Sequence, residues 1–308
     1  MLTPESPTKL FYLQLAWFLA DMGFSVGILD IDICGPSVPK ILGVEAQEVR
    51  KSSFGWSPVY AAENLAVMSV GFMLGSKNDA IIWRGPRKNT LIKQFLTDTY
   101  WGDLDVLIVD APPGTSDEHL AITTYLKDAD VDGAIVVTTP QEIALLDVRK
   151  ELTFCQRVGL PVLGVVENMA GFTCPHCRTN TAIFEPSSGG AAAMCAEMSV
   201  PFLGAIPLDP FLMRACEQGR SYLGAFPAAP AACAFKEVVA QLFQCTERLA
   251  ETAGERGLAA RIEEHNESAA VARDRESRVR EQTRAVAAEG LGLGDAQEGN
   301  ESGSAMND

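Results

Sequence analysis

Two sets of residues in this chain have types and spacings that could do chemistry. The segment "GFTCPHCRTN" places Cys174 and Cys177 in a C-x-x-C, where a single turn can bring both thiolates onto one metal. The same spacing suits a redox disulfide or half of a zinc knuckle, and no second C-x-x-C follows to complete a zinc ribbon. A 4Fe–4S cluster commonly takes four cysteines, which two chains related by a two-fold axis would supply two each. The spacing leaves open a bridging iron–sulfur cluster, zinc, and a structural or redox pair. His176, between the two cysteines, is given no ligand role. Cys34, Cys155, Cys195, Cys216, Cys233 and Cys245 read as core or surface thiols, with Cys195 a secondary candidate ligand.

The second set is acidic. "GFSVGILDIDICGPSVPK" is an apolar strand that ends in Asp30 and Asp32 before a Gly-Pro turn. "LDVLIVDAPPGTSDEH" runs four apolar residues into Asp110, the pattern of a Walker-B strand whose carboxylate holds a Mg²⁺-bound water. Gly114 closes the Pro-Pro-Gly turn and could offer its N–H to a γ-phosphate, acting as a switch. At the tip of the upstream strand, Asp32 could contact Mg²⁺ or orient an attacking water. Taken singly, each is more simply a strand meeting solvent or a turn. Two Asp-ended strands joined to Pro-Pro-Gly-Thr favour a nucleotide site holding ATP and Mg²⁺. Arg84 in "IIWRGPRKN" is an anion or partner contact, or equally a surface arginine stacked on Trp83.

Elements that could position these residues alternate along the chain. Strands are predicted at 25–30, 65–71, 104–110, 133–138, 162–167 and 202–206. Helices are predicted at 10–22, 88–100, 117–126, 143–158, 190–198 and 233–248. The strands are near-continuous apolar runs, the mark of a parallel sheet covered on both faces. The fold class is therefore α/β, a doubly wound, mostly parallel sheet, with ligands at the carboxyl ends of its strands. From residue 249 the chain turns rich in Ala, Glu and Arg and carries no aromatic residue. It reads as one domain, 1–248, followed by a polar, disordered tail, 249–308.

Charge narrows the partners. The net charge is -15, which argues against nucleic acid, because phosphate backbones need a basic face. The apolar stretch "LFYLQLAWFLA" is too short to span a bilayer and lacks a basic leader, so it reads as a helix packed on a sheet. No membrane partner is expected, and eight cysteines without a secretory signal place the chain in a reducing, cytoplasmic compartment.

These motifs also carry a resemblance. "GILDIDICGPSVPKILG", "IIWRGPRKNTLIKQFL", "LIVDAPPGTSDEHL", "TTPQEIALLDVRKE", "GVVENMAGFTCPHC" and "VPFLGAIPLDP" resemble the Mrp/nucleotide-binding-protein family over residues 10–245. These are deviant-Walker P-loop ATPases of iron–sulfur cluster assembly, and the similarity is closest to the eukaryotic cytosolic factors. The resemblance implies a sheet of the P-loop NTPase type. It makes Asp32 a switch aspartate, Asp110 the Walker-B aspartate and Asn168 the adenine contact, with residues 207–209 near the base. It further implies that the C-P-x-C pair bridges a cluster across a homodimer, or a heterodimer with a related assembly ATPase.

The family's phosphate loop, G-K-G-G-V-G-K followed by Ser or Thr, has no counterpart before Gly23, and its first strand and N-terminal cysteine cluster are missing too. Lys9 stands where the motif's Ser or Thr would fall and cannot serve as a Mg²⁺ ligand. The chain is thus expected to be an N-terminally truncated form, or an isoform impaired in ATP binding. The function expected is an ATP-dependent scaffold or carrier that assembles 4Fe–4S clusters for cytosolic and nuclear apo-proteins. The alternatives are a catalytically impaired subunit of the same system and a partitioning-type positioning ATPase.

Overall fold

A helix with apolar residues on every face is stable only where protein covers all of them. Residues 10–20 make such a helix, α1 (Ser6–Asp21), and every one of them except Trp17 is buried. A computed structural model describes residues 6–32, 35–53, 55–73, 85–112, 114–115, 117–127, 129, 131–174, 180–184, 189–227 and 229–255. After α1 come β1 (Val26–Asp30), α2 (Val38–Ile41), β2 (Arg50–Ser52), β3 (Gly55–Ser57), β4 (Val59–Ala62) and β5 (Leu65–Ser69). Next are α3 (Gly85–Thr97), β6 (Val106–Asp110), α4 (Asp117–Tyr125), β7 (Ala134–Thr138), α5 (Glu142–Val158), β8 (Val162–Thr173) and β9 (Asn180–Thr181). The remainder is α6 (Gly190–Met198), β10 (Phe202–Leu208), α7 (Pro210–Glu217), α8 (Tyr222–Ala225), α9 (Pro230–Cys245) and α10 (Glu247–Glu255).

One sheet runs β4-β5-β1-β6 and a second runs β10-β8-β7, with β9 antiparallel to the end of β8. Apart from β4 and β9, the pairs in these sheets are parallel. Register then does the positioning. Asp30 stands opposite both Asp110 and Ser69, so the two Asp-ended strands deliver their carboxylates to one place.

The expectation of strands covered on both faces holds for only part of the sheet. β1 and β5 are wholly buried, but β6 and β7 are mostly half-buried, with Leu107 36% exposed. Among the described residues, β6 pairs only with β1 and β7 only with β8, so each is an edge. α1 packs against β1, β5 and β6 of one sheet and against β7 and β8 of the other, and so joins the two. Helices α2, α8 and α9 cover the rest of it.

Several boundaries differ from the sequence reading. β8 continues past Glu167 to Thr173, so Asn168 lies within a strand and not at its end. The strand predicted at 65–71 stops at Ser69 and passes into a 3-10 turn. The helix predicted at 233–248 is α9 and α10, broken at Thr246, and α10 buries Leu249 and Ala253 against the main core.

Candidate functional site

At the tips of β1 and β6 four charged side chains meet out of contact with water: Lys9, Asp30, Asp32 and Asp110 are each at most 4% exposed. The Lys9 ammonium donates to Asp32 Oδ2 at 2.5 Å and to the Gly35 carbonyl at 2.8 Å, and lies 3.7 Å from Asp110 Oδ2. Asp32 is held from its other side, where Oδ1 accepts from the Gly35 N–H at 3.2 Å. Asp30 accepts from the Ser69 hydroxyl at 2.7 Å and from the Asp32 N–H at 3.1 Å. Tyr12, one turn along α1 from Lys9, faces Asp110 closely enough to favour its charged form but without full hydrogen-bond geometry.

Three carboxylates and one ammonium in a dry site shift one another. Burial alone would pull the Lys9 pKa down, but the Asp110, Asp30 and Asp32 carboxylates outweigh it and hold the ammonium above its ordinary value. Burial, then the Asp110 charge, pushes Asp30 well up, against the pull of Lys9 and Ser69. Burial raises Asp110 to about 6, opposed by Lys9 and Tyr12.

Gly114 has φ +81°, a left-handed conformation that suits glycine. Its N–H donates to Glu151 Oε1 of α5 at 3.2 Å. Burial raises the Glu151 carboxyl, and that N–H partly offsets the rise. Glu151 was not singled out in the sequence, where it is one charge among several on an amphipathic helix; its partner is 37 residues away.

Asn168 is buried and accepts from the Met169 N–H at 2.9 Å. Met169 sits at φ +59°, costly for a side chain of its size, where the register of β8 against β10 shifts. Asp209 is the N-cap of α7, accepting from the Phe211 N–H at 2.8 Å, and its other oxygen accepts from the Tyr222 hydroxyl at 2.5 Å. The polar groups expected beside a base are thus already partnered within the chain.

Cys174 follows directly on β8, where Thr173 pairs with Asn180 of β9. It is a free, half-buried thiol. Cys177, Arg84, Cys34 and Pro113 lie outside the described residues. Cys195 is buried in the core with Met194 and Val165, and burial, with the nearby Glu167 charge, raises its thiol to about 11.

A mostly parallel sheet with acidic strand tips brought into register is the architecture of an α/β domain of the P-loop NTPase type. A family model described as "ParA: NUBPL iron-transfer P-loop NTPase" matches residues 10–243, and the chain belongs to that family. It is 55% identical over 233 residues to the cytosolic Fe-S cluster assembly factor NBP35 of Eremothecium gossypii, covering 75% of this chain and 70% of that protein. Among solved structures it is similar to a nucleotide-binding protein of Archaeoglobus fulgidus in complex with ADP and with cobalt. That likeness has 35% identity and a TM-score of 0.58, over 73% of this chain and 84% of the other. The septum site-determining protein MinD of Pyrococcus horikoshii, solved with Mg-ADP, shares the fold at 20% identity and a TM-score of 0.54, over 77% and 90% of the two chains.

The metal ion of a nucleotide complex does not fit this site as its residues stand. The Lys9 ammonium stands between Asp32 and Asp110, and a divalent ion held by both would have to displace it. No group of three or more His, Cys, Asp or Glu side chains among the described residues is arranged to hold a metal ion.

Proposed function

We propose that this chain is a scaffold or carrier in iron–sulfur cluster assembly, which receives a 4Fe–4S cluster as cargo and passes it to cytosolic and nuclear apo-proteins. The observation that carries this reading is the Cys174-Pro-His-Cys177 segment in a member of an iron-transfer family, with Cys174 a free thiol at the end of β8. A thiolate pair matches the softness of iron–sulfur cargo. Two chains would complete the ligand set, so the carrier is a homodimer, or a heterodimer with a related assembly ATPase. The cytoplasm is its compartment by likeness to the Eremothecium protein, which is named as cytosolic. No helix among the described residues is long and apolar enough to cross a membrane.

The test is anaerobic reconstitution with iron and sulfide. The expected product is a brown dimer whose iron is lost in Cys174→Ala and in Cys177→Ala. A monomeric, colourless product from the unaltered chain would refute the reading.

A second reading, a subunit of the same assembly system impaired in nucleotide chemistry, is favoured by the Lys9–Asp32 pair. In the first reading Asp32, Asp110, Gly114 and Asn168 serve ATP; in the second they are relics of that site. Calorimetric titration with ATP and Mg²⁺ separates the two, since heat of binding supports the first and none supports the second.

A further inference from the structure

A divalent cation beside a triphosphate neutralises carboxylates and ties together the segments that carry them. In this chain those two tasks are done by the protein's own side chains. The Lys9 ammonium has three donors and meets Asp32 Oδ2 at 2.5 Å, the Gly35 carbonyl at 2.8 Å and, more loosely, Asp110 Oδ2 at 3.7 Å. It thereby joins α1, the turn after β1 and the tip of β6. On the far side of the switch turn, the Glu151 carboxylate takes the Gly114 N–H that a phosphate oxygen would otherwise accept. A cavity of about 10 Å³ beside Asn168, lined by Leu10, Phe11, Ile206 and Tyr222 among others, has room for about one water.

We infer that Lys9 and Glu151 are internal surrogates for the cation and the anion of a metal–nucleotide complex, so that this chain keeps its switch segments tied with neither bound. A buried ammonium already stands between this carboxylate pair and offsets one of its two charges, which leaves less to repay the dehydration of a divalent ion. A switch whose N–H is already bonded gains little from a phosphate. Cluster handling in this chain is thereby uncoupled from nucleotide turnover. The inference takes the second of the two readings above: it rests on Asp32 and Asp110 as the family's nucleotide-site residues, and not on the cluster role of Cys174 and Cys177.

The experiment follows Mn²⁺ by its electron paramagnetic resonance signal, with the full chain, alone and with ADP. The wild type is expected to leave the Mn²⁺ signal that of the free ion, and its melting temperature is expected not to move with Mg²⁺ or Mg²⁺ plus ADP. Lys9→Ser, which removes the ammonium and leaves the carboxylates, is expected to take up Mn²⁺. Its melting temperature should rise by roughly 5 °C at saturating metal. Stoichiometric Mn²⁺ binding by the wild type, or a folded Lys9→Ser that stays indifferent to metal, would overturn the inference.

If Lys9→Ser does not fold, acylation of wild-type amines read by mass spectrometry decides alongside the wild-type Mn²⁺ measurement. Lys9 labelled at least tenfold more slowly than the exposed Lys150 supports the buried ion pair, and equal labelling refutes it. For the other surrogate, Glu151→Ala should speed hydrogen exchange at the Gly114 amide by about tenfold, and an unchanged rate would remove Glu151 from the proposal. None of these readouts involves iron. A chain that excludes Mn²⁺ but fails to load iron and sulfide keeps this inference and loses the carrier function.

Discussion

The carboxylate cluster and the cysteine hairpin lie at opposite extremes of self-sufficiency. Lys9, Asp30, Asp32 and Asp110 are buried and partnered by one another, by Ser69 and by Gly35. Cys174 is half-buried, with its thiol free. Buried charges must be matched at the moment of folding, because leaving one unmatched costs several kcal/mol. The half-buried Cys174 thiol, at the end of β8, carries no such debt. In this molecule the carboxylate end is matched within the fold, and the Cys174 thiol is left without a disulfide partner.

The largest break in that contrast should come from Lys9→Met. It strands three buried carboxylates and should lower stability by about 3–5 kcal/mol in chemical denaturation. The double variant Lys9→Met/Asp32→Asn should cost less than the sum of the two single changes, whereas simple additivity would mean that the pair is not coupled. Next is Tyr222→Phe. It leaves a buried oxygen of Asp209 without its donor and should cost about 1–3 kcal/mol, with α8 and the N-terminus of α7 losing amide protection first.

Gly114→Ala should cost about 1 kcal/mol. A Cβ there meets no heavy atom within 4 Å, so only the dihedral opposes the change. A much larger loss would mean that the turn is packed more tightly than this geometry allows. Smallest in stability is Cys174→Ala, expected within about 0.5 kcal/mol of wild type although cluster loading is lost. Thiol reagents sharpen the same point. Cys174 and the exposed Cys245 should react ahead of Cys195 and Cys216, which, both raised to about 11 by burial, keep their thiolates scarce until the pH nears that value.

Much of the sheet was legible in the sequence. The runs "VGILD" and "DVLIVD" are strongly β-forming and end in Asp, and parallel pairing of two such strands brings their ends together. Helix α6 was predicted at 190–198 and runs over those residues, with Gly189 and Ser199 in left-handed conformations at its ends. The partial exposure of β6 and β7 was not, because whether an apolar run is an edge depends on which strand lies beside it. The length of β8 was also missed. Its bulge at Met169 interrupts the pattern that would have extended it. Of the candidate site, Asp32, Asp110, Gly114 and the cysteine pair were singled out by motif. Glu151 and Tyr12 were not, because their partners are far along the chain.

By itself, the sequence determined the class of the domain, its family, the placement of acidic residues at strand tips and the presence of a C-x-x-C, because these are matters of residue type and local spacing. It also showed Lys9 at a position where a hydroxyl would serve a metal, and there it read as a mere loss of ligand. Only the tertiary structure decided that Lys9 is a cation standing among carboxylates. An ion pair depends on distance in space, and that distance is set by how α1 is buried between two sheets and by the register that puts Asp30 beside Asp110.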